Sequence, residues 1–238
     1  MATINYSEHP LYGNKRLIQF SREHSNPLHY LNRIKRHGEE IMIGTEKPVI
    51  LAFFPHSSHF DPLMLYGELL HLGLHRNVIA AAAADYWFMK QFMTVLGNMM
   101  MPMFPMPRPD KGANLKETAT ILKYIGEERI AKRGESLIWA PEGTRSNDPI
   151  ENRRLKSGIA HLARHSDRPV VPVVLRGLEK SWPRDQKLPN PEALVGNHVD
   201  VCFLPPLRWK EYNSEELFLD SLKRRYVQAY QELLQQQR

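Results

Sequence analysis

Short apolar stretches alternate along the chain with longer segments in which apolar residues recur at helical spacing. The six residues from Val49 to Phe54 form one such stretch, which is typical of a buried strand. The pattern predicts strands near Pro48, Val78, Met101, Leu137, Val170 and Val199. Strands separated by helices indicate a three-layer α/β domain, in which helices cover a mixed, largely parallel central sheet.

Helical periodicity is clear at the C-terminal end and weaker near the start. A helix is predicted near Ser214 to Leu234, where apolar residues recur at helical spacing: Leu217, Leu222, Val227, Tyr230 and Leu234. Residues 27–37 predict a basic amphipathic helix that either packs on the domain or lies on a membrane. We therefore expect one domain, 1–238, with a helical segment at 1–47, a core at 48–177 and a C-terminal strand and helix at 178–238.

A polar turn after the first predicted strand carries a histidine and a carboxylate, His56 and Asp61. Asp61-Pro62 is typical of an N-cap followed by a proline at the first helical position. Such a turn can fold His56 back onto Asp61, which would hold one imidazole nitrogen and leave the other to take a proton from a hydroxyl. The pattern predicts a general base and its orienting carboxylate. The alternative is that His56 only packs at a strand end and Asp61 only caps its helix.

A second polar turn, Glu142 to Ser146, follows the strand predicted at residues 136–139. Turns at the same end of neighbouring parallel strands meet in the crevice where open α/β sheets bind ligands. There Arg145 would supply a cation for a phosphate, Thr144 a hydroxyl and Gly143 a close approach of backbone amides. Backbone amides near Gly143 are also candidates for stabilising an oxyanion.

The two turns resemble sequence blocks of the glycerolipid acyltransferase family, of which lysophosphatidic acid acyltransferases are the best-known members. The first block is His56-x4-Asp61 and the third is Glu142-Gly143-Thr144-Arg145-Ser146. An apolar strand with an internal proline at residues 170–174 is similar to the fourth block, and the resemblance spans residues 48–177.

The match is weaker in the second block, where only Arg108 fits the family pattern. Pro55 also stands where many members have asparagine, and Ala140 where an aromatic residue often precedes Pro-Glu-Gly. These departures bear on the acceptor rather than on the class of reaction.

The resemblance implies a glycerolphosphate acyltransferase-like fold and direct acyl transfer from a thioester, either acyl-CoA or an acyl-carrier protein. The acceptor would be a hydroxyl of a glycerol-phosphate-type lipid such as lysophosphatidic acid. His56 and Asp61 would be the catalytic pair, with no metal and no cofactor beyond the thioester co-substrate. The substrate-binding residues expected from the blocks are Ser58, His59, Arg108, Glu142, Gly143, Thr144 and Arg145.

Composition limits the partners and the location. With 42% hydrophobic and 24% charged residues, the chain has an ordinary globular composition. Its net charge of +6 favours an anionic partner: lipid head groups at a membrane surface, CoA phosphates or an acidic carrier protein. Basic residues are spread along the chain without a nucleic-acid signature, which argues against nucleic acid. The start lacks the features of a signal peptide, so we expect a cytoplasmic protein, or a peripheral one at the cytoplasmic membrane face.

Methionines are concentrated in one region of the chain, most of which is uncharged. Of the ten, seven lie between residues 89 and 106: Met89, Met93, Met99, Met100, Met101, Met103 and Met106. The uncharged stretch, residues 91–107, is too short for a membrane span and contains three prolines. Flexible thioether side chains suit an acyl-chain groove or a lipid surface, and they equally suit ordinary core packing.

Two other functions fit parts of the pattern. His56, His59 and Asp61 have the donor atoms of a metal site, as in a metal-dependent hydrolase. A catalytically silent lipid- or acyl-binding protein is the second alternative. The single cysteine, Cys202, lies far from both turns in an apolar stretch, so a covalent thiol intermediate is not expected.

Overall fold

The computed structural model describes residues 31–87, 97, 100–108, 112, 114–186, 188–193 and 195–236. Within these ranges one sheet has seven strands in the order β1-β7-β6-β2-β5-β3-β4. The strands are β1 (Arg33–His37), β2 (Ile50–Phe54), β3 (Val78–Ala83), β4 (Met103–Met106), β5 (Ser136–Trp139), β6 (Val170–Arg176) and β7 (His198–Phe203). Neighbours are parallel except β6 and β7, which are antiparallel. The predicted mixed, largely parallel sheet is confirmed, and all six predicted strands are present.

Helices cover both faces of this sheet. They are α1 (Glu39–Gly44), α2 (Asp61–His71), α3 (Ala84–Trp87), α4 (Leu115–Tyr124), α5 (Gly158–Ser166) and α6 (Glu215–Gln235). A π-helical segment, Ile125–Lys132, continues α4, and 3-10 turns lie at Ile150–Asn152, Pro191–Ala193 and Trp209–Glu211. One apolar cluster packs α1 and α2 on one face of the sheet, and a second packs α4, α5 and α6 on the other. The three-layer prediction is therefore confirmed.

Strand β2 runs through the middle of the core and is buried on both faces. Leu51 and Phe53 belong to the cluster beneath α2, whereas Ile50 and Phe54 belong to the cluster beneath α4, α5 and α6. Burying each such side chain contributes about 1.5–3 kcal/mol. The hydroxyl of Tyr226 on α6 also donates to a β2 carbonyl. The polar turn after β2 thus starts from a firmly held strand.

The helix predicted for residues 27–37 is wrong for residues 33–37, which form strand β1. In a strand, alternate side chains share a face, so Ile34 and Arg36 point the same way while Arg33 and Lys35 are exposed. Ile34 packs on the core, and Arg36 forms an ion pair with the fully buried Glu68 of α2, Nε to Oε2 at 2.6 Å. Pairing with β7 and this ion pair outweigh the helical spacing of the apolar residues. Residues 27–30 lie outside the described residues.

Helix α6 has the predicted extent, with the side chain of Ser214 accepting from the amide of Leu217. Its predicted core face is correct in part. Leu222 is buried and Tyr230 packs on the second apolar cluster, whereas Leu217 and Leu234 are exposed. The buried positions are Phe218, Leu222, Tyr226, Ala229 and Leu233, so the core also takes aromatic side chains that the predicted face did not include.

Candidate active site

The polar loops of the molecule converge where the parallel strands end. Strands β2, β3, β4, β5 and β6 are mutually parallel, so their carboxyl ends lie at one edge of the sheet. The segments that follow them carry His56, Asp85, Arg108, Arg145 and Arg184. This arrangement confirms that the two predicted polar turns share one edge, as expected of ligand-binding crevices in open α/β sheets.

His56 and Asp61 are in direct contact, with Nδ1 of His56 3.0 Å from Oδ2 of Asp61. The same oxygen accepts from the backbone amides of Ser57 and Ser58, each at 2.8 Å. An ionised carboxylate only accepts, so Nδ1 carries a proton, and Nε2 is the ring nitrogen left for other partners. The ring of Phe53 packs edge-on against the imidazole, with centroids 5.2 Å apart. The turn therefore holds the imidazole in a fixed orientation.

Two details of this turn differ from expectation. Asp61 is the first residue of α2 and Phe60 occupies the N-cap position, so the carboxylate bonds to the turn preceding the helix rather than capping it. Ser58 is fully buried, and its hydroxyl accepts from the amide of Phe60 at 3.2 Å. Ser58 does not line the cavity described below, and its position supports a structural role in the turn.

The second turn depends on a glycine. Gly143 has φ of +67°, a conformation that side-chain-bearing residues rarely adopt, and a Cβ there would lie 3.0 Å from Cδ of Lys156. Its amide donates to the carbonyl of Ala140 at 2.9 Å. That amide is therefore engaged within the turn, and this geometry does not support its predicted use as an oxyanion donor.

Glu142 contacts the turn that bears His56 and is buried. Its carboxylate accepts from the backbone amide of His56, and Nη1 of Arg153 lies 3.4 Å from the other oxygen. Burial raises the pKa of Glu142, while the His56 amide bond and the Arg153 charge oppose that rise. The side chain does not line the cavity, so this geometry fits a role in orienting the loop better than the predicted contact with substrate.

Arg145 lines the cavity and is anchored by the chain that follows β6. Its Nη1 donates to the carbonyls of Trp182 at 3.2 Å and Pro183 at 2.9 Å. The next residue, Arg184, is exposed and lines the cavity mouth. One arginine thus fixes a loop that places a second arginine beside it.

Arg108 also lines the cavity, and both of its terminal groups meet the carboxylate of Asp85 in α3. Nε of Arg108 lies 2.8 Å from Oδ1, and Nη2 contacts Oδ2. The guanidinium group of Arg108 is therefore pre-oriented by a carboxylate in α3, the helix that follows the neighbouring strand β3. Arg108, the only residue that fits the second sequence block, thus lines the same cavity as Arg145.

His59 faces the cavity between two tryptophans. Its ring lies 5.7 Å from the ring of Trp87 and 4.7 Å from that of Trp182, centroid to centroid. Burial, with the nearby Arg145 and His56, lowers the pKa of His59 to about 3. His59 therefore stays neutral at physiological pH and acts as an aromatic wall of the site.

The cavity between these loops has a volume of about 370 Å³. Its polar lining groups belong to His56, Thr144, Arg145, Arg108 and Arg184. Its apolar lining includes Phe53, Leu63, Trp87, the alanines at 81–83 and Met100, Met101, Met103 and Met106. A cavity lined by both cationic and apolar side chains suits an amphiphilic ligand with an anionic head.

The structure describes four of the seven clustered methionines, for which the sequence left an acyl-chain groove, a lipid surface and core packing open. Met101 and Met103 are almost fully buried, and all four described methionines of the cluster line the cavity. Met89, Met93 and Met99 lie outside the described residues. Across the ranges that the structure describes, no helix combines the length and apolar character needed to cross a bilayer.

Comparisons with known proteins agree with this site. The sequence model of the family described as "Acyltransferase" matches residues 33–176, which is more than half of the chain and includes both turns. The chain belongs to the acyltransferase family. The family assignment made from the sequence blocks is therefore confirmed.

Curated relatives share a shorter region of the chain. Two proteins named 1-acyl-sn-glycerol-3-phosphate acyltransferase, from Limnanthes alba and Limnanthes douglasii, are each 33% identical over 90 residues, which is 37% of this chain and 29% of theirs. One of the same name from Cocos nucifera is 30% identical over 90 residues, 27% of its length. The match thus spans less than a third of these relatives.

A solved structure shares the fold over most of the chain. The 1-acyl-sn-glycerophosphate (LPA) acyltransferase PlsC from Thermotoga maritima superimposes with a TM-score of 0.57 and 19% identity. The match covers 92% of this acyltransferase and 79% of that protein. At this identity the likeness establishes the fold.

Several site residues escaped the sequence prediction. Arg153 and Arg184 resemble ordinary solvated charges in the sequence, and Trp182 lies far along the chain from either turn. Their only sequence signal is that they follow strands or loops at the same sheet edge. Cys202 lies on β7 and is not among the cavity residues; burial raises the pKa of its thiol to about 11.

Within the described ranges, no three His, Cys, Asp or Glu side chains are grouped so that they could hold a metal ion. Of the proposed ligands, Asp61 and His56 bond to each other, while His59 is packed between tryptophan rings. This geometry gives the metal-hydrolase hypothesis no support.

Proposed function

We propose that this acyltransferase moves a fatty acyl group from acyl-CoA or acyl-carrier protein to a hydroxyl of a glycerol-phosphate-type lipid, such as lysophosphatidic acid. The observation that carries the proposal is the contact between Nδ1 of His56 and Asp61 at the polar end of an amphiphilic cavity. The names of the curated relatives supply the acceptor class.

The proposed chemistry begins at Nε2 of His56. This atom takes the proton of the acceptor hydroxyl while the hydroxyl oxygen attacks the thioester carbonyl. The tetrahedral intermediate then collapses, the carbon–sulfur bond breaks, and the proton passes from His56 to the leaving thiolate. Asp61 orients the ring and stabilises the imidazolium formed between these steps. No enzyme-bound acyl group is needed.

The proposed binding mode follows the polarity of the cavity. Arg145 would bind the acceptor phosphate with the hydroxyl of Thr144, and Arg108 and Arg184 would add positive charge at the same end. The apolar channel between the alanines of β3 and the methionines would take an acyl chain. His59 would form part of the cavity wall between the phosphate-binding residues and the acyl-chain channel.

Product analysis tests this proposal. The full chain is incubated with long-chain acyl-CoA or acyl-carrier protein and, in separate reactions, glycerol 3-phosphate, lysophosphatidic acid and other lysolipids. Mass spectrometry should find the acceptor heavier by one acyl group, and the His56→Ala variant should produce far less of it. Release of free fatty acid without transfer would favour a hydrolase, which a stoichiometric bound metal would reinforce. Binding without any turnover would favour a silent carrier of lipid or acyl groups.

A further inference from the structure

The backbone of His56 is held on both sides by groups from other parts of the chain. Its amide donates to the carboxylate of Glu142, and its carbonyl accepts from the amide of Ser146 at 3.0 Å. Nη1 of Arg153 approaches the same carbonyl at 3.4 Å. Since the imidazole extends from this backbone, these contacts determine where Nε2 lies in the cavity.

Arg153 connects both turns through a single guanidinium group. Besides the His56 carbonyl, Nη1 lies 3.4 Å from the Ser57 hydroxyl and 3.4 Å from Glu142, and Nε donates to the Asp148 carbonyl at 2.9 Å. Each Nη1 contact is long, but the group is buried, where charge-assisted contacts are strengthened by the low dielectric. Arg153 is not among the residues that line the cavity.

The main chain of Arg153 is itself anchored from α6. Nζ of Lys223 donates to the carbonyls of Arg153, at 2.7 Å, and Ile150, and lies 4.8 Å from the centre of the Phe54 ring. Phe54 is the last residue of β2, two positions before His56. The guanidinium therefore projects from a segment tied to the same strand that bears the histidine.

Charge makes the guanidinium difficult to replace. Arg153 and the His56 amide contact the Glu142 carboxylate, and the carboxylate in turn acts electrostatically on Lys223 and Tyr226 of α6. Burial raises the pKa of Glu142, and Arg153 opposes that rise. Without Arg153, a buried carboxylate would lose its ion-pair partner and with it the ionised state that best accepts the His56 amide.

We propose that Arg153 is a positioning residue that holds His56 and Glu142 in the geometry needed for proton transfer. It acts through the backbone of the catalytic turn and does not touch the substrates. The inference rests on the proposed role of His56 as the general base, and it adds a residue outside the four sequence blocks. Neighbouring Arg154 is exposed and offers a matched control.

The kinetic test compares Arg153→Ala, Arg153→Lys and Arg154→Ala in the full-length protein. A misplacement of about 1 Å can lower a rate about a hundredfold, so Arg153→Ala should lower kcat by about tenfold to a hundredfold, with both KM values nearly unchanged. Added guanidinium ion should restore part of the lost kcat. Arg153→Lys should retain more activity than Arg153→Ala because it keeps the charge, and Arg154→Ala should match the parent protein.

Several results would overturn the proposal. These are an unchanged kcat, a change confined to KM, or a loss that follows the unfolded fraction and does not respond to guanidinium. If Arg153→Ala fails to fold, Arg153→Lys carries the same comparison.

A second measurement does not depend on turnover. Nuclear magnetic resonance of ¹⁵N-labelled histidine, with the His56 signals assigned from His56→Ala, reports the ring tautomer and its hydrogen bond to Asp61. Arg153→Ala should shift the His56 signals, and Arg154→Ala should leave them in place. Unchanged signals in a folded Arg153→Ala protein would reject the positioning role even if no acyl transfer were detected. Shifted signals without any acyl transfer would instead retain the positioning role and reject the proposed function.

Discussion

The two polar turns of the site are built in different ways. In the first, the contacts that orient His56 toward Asp61 lie within six consecutive residues, 56–61. In the second, Arg145 is held by carbonyls 37 and 38 residues further along, and Glu142 meets an amide 86 residues away. The His56–Asp61 pair is thus local, whereas the end proposed to bind phosphate is assembled from distant segments. We expect changes in the first turn to lower kcat and changes in the second to alter acceptor binding.

Removal of the His56 imidazole should have the largest effect on kcat. It also tests the role of the first turn most directly. His56→Ala should reduce kcat by about two to four orders of magnitude, as for loss of a positioned general base. Initial-rate kinetics with acceptor and thioester varied separately measure this. His59→Ala is the control within the same turn, and its loss should be much smaller. Equal losses in the two variants would show that the roles of these histidines are misassigned.

The carboxylate should matter only through the histidine. Asp61→Asn keeps a similar shape but can present an N–H to Nδ1, which favours the wrong tautomer; kcat should fall by about one to three orders of magnitude. Because the pair acts as a unit, the double variant with His56→Ala should be no slower than His56→Ala alone. Multiplicative losses in the double variant would contradict the pairing.

The second turn should show a different kinetic signature. Arg145→Ala should raise the KM for the acceptor by about tenfold to a hundredfold, the range expected for a hydrogen bond to a charged group. The KM for the thioester should change little. Arg145→Lys should restore part of the affinity, because the charge returns without the planar fork.

Arg184→Ala separates direct binding from loop placement, since Arg145 also anchors residues 182 and 183. If both substrates lose affinity equally in Arg145→Ala, the side chain is structural or serves the donor. If Arg184→Ala reproduces the whole effect, Arg145 acts mainly by placing the loop.

His59 belongs to the first turn by sequence but packs against the distant Trp87 and Trp182, and its effect should be on stability. Its pKa is lowered to about 3 in the folded protein from the ordinary value of 6.5, so between these values the unfolded chain binds more protons. Folding stability should therefore fall as the pH falls through this window. Urea unfolding at about pH 7.5 and about pH 5 should show a smaller acid-induced loss for His59→Gln than for the parent protein. An equal acid-induced loss of stability in His59→Gln and in the parent protein would mean that His59 is not held neutral.

Some elements were predictable because their signals are local. Strand β2 is buried on both faces, so its whole apolar run predicts it without knowledge of its neighbours. Strand β1 and the core face of α6 were not predictable in this way. The spacing of charges at residues 33–37 suits a helix, and only the β7 ladder and the buried Glu68 select a strand. On α6, the packing of Phe218 and Tyr226 against β2 and its neighbours selects the buried face.

The sequence by itself determined the α/β class, the family and the pairing of His56 with Asp61, because these depend on short apolar runs and on residues five apart in one turn. Only the tertiary structure decided which charged groups share the site. Arg153, Trp182 and Arg184 reach it because five parallel strands end at one edge of the sheet. Tertiary burial also raises the pKa of Glu142 and lowers that of His59, since desolvation acts on the folded environment and leaves no trace in the residue pattern.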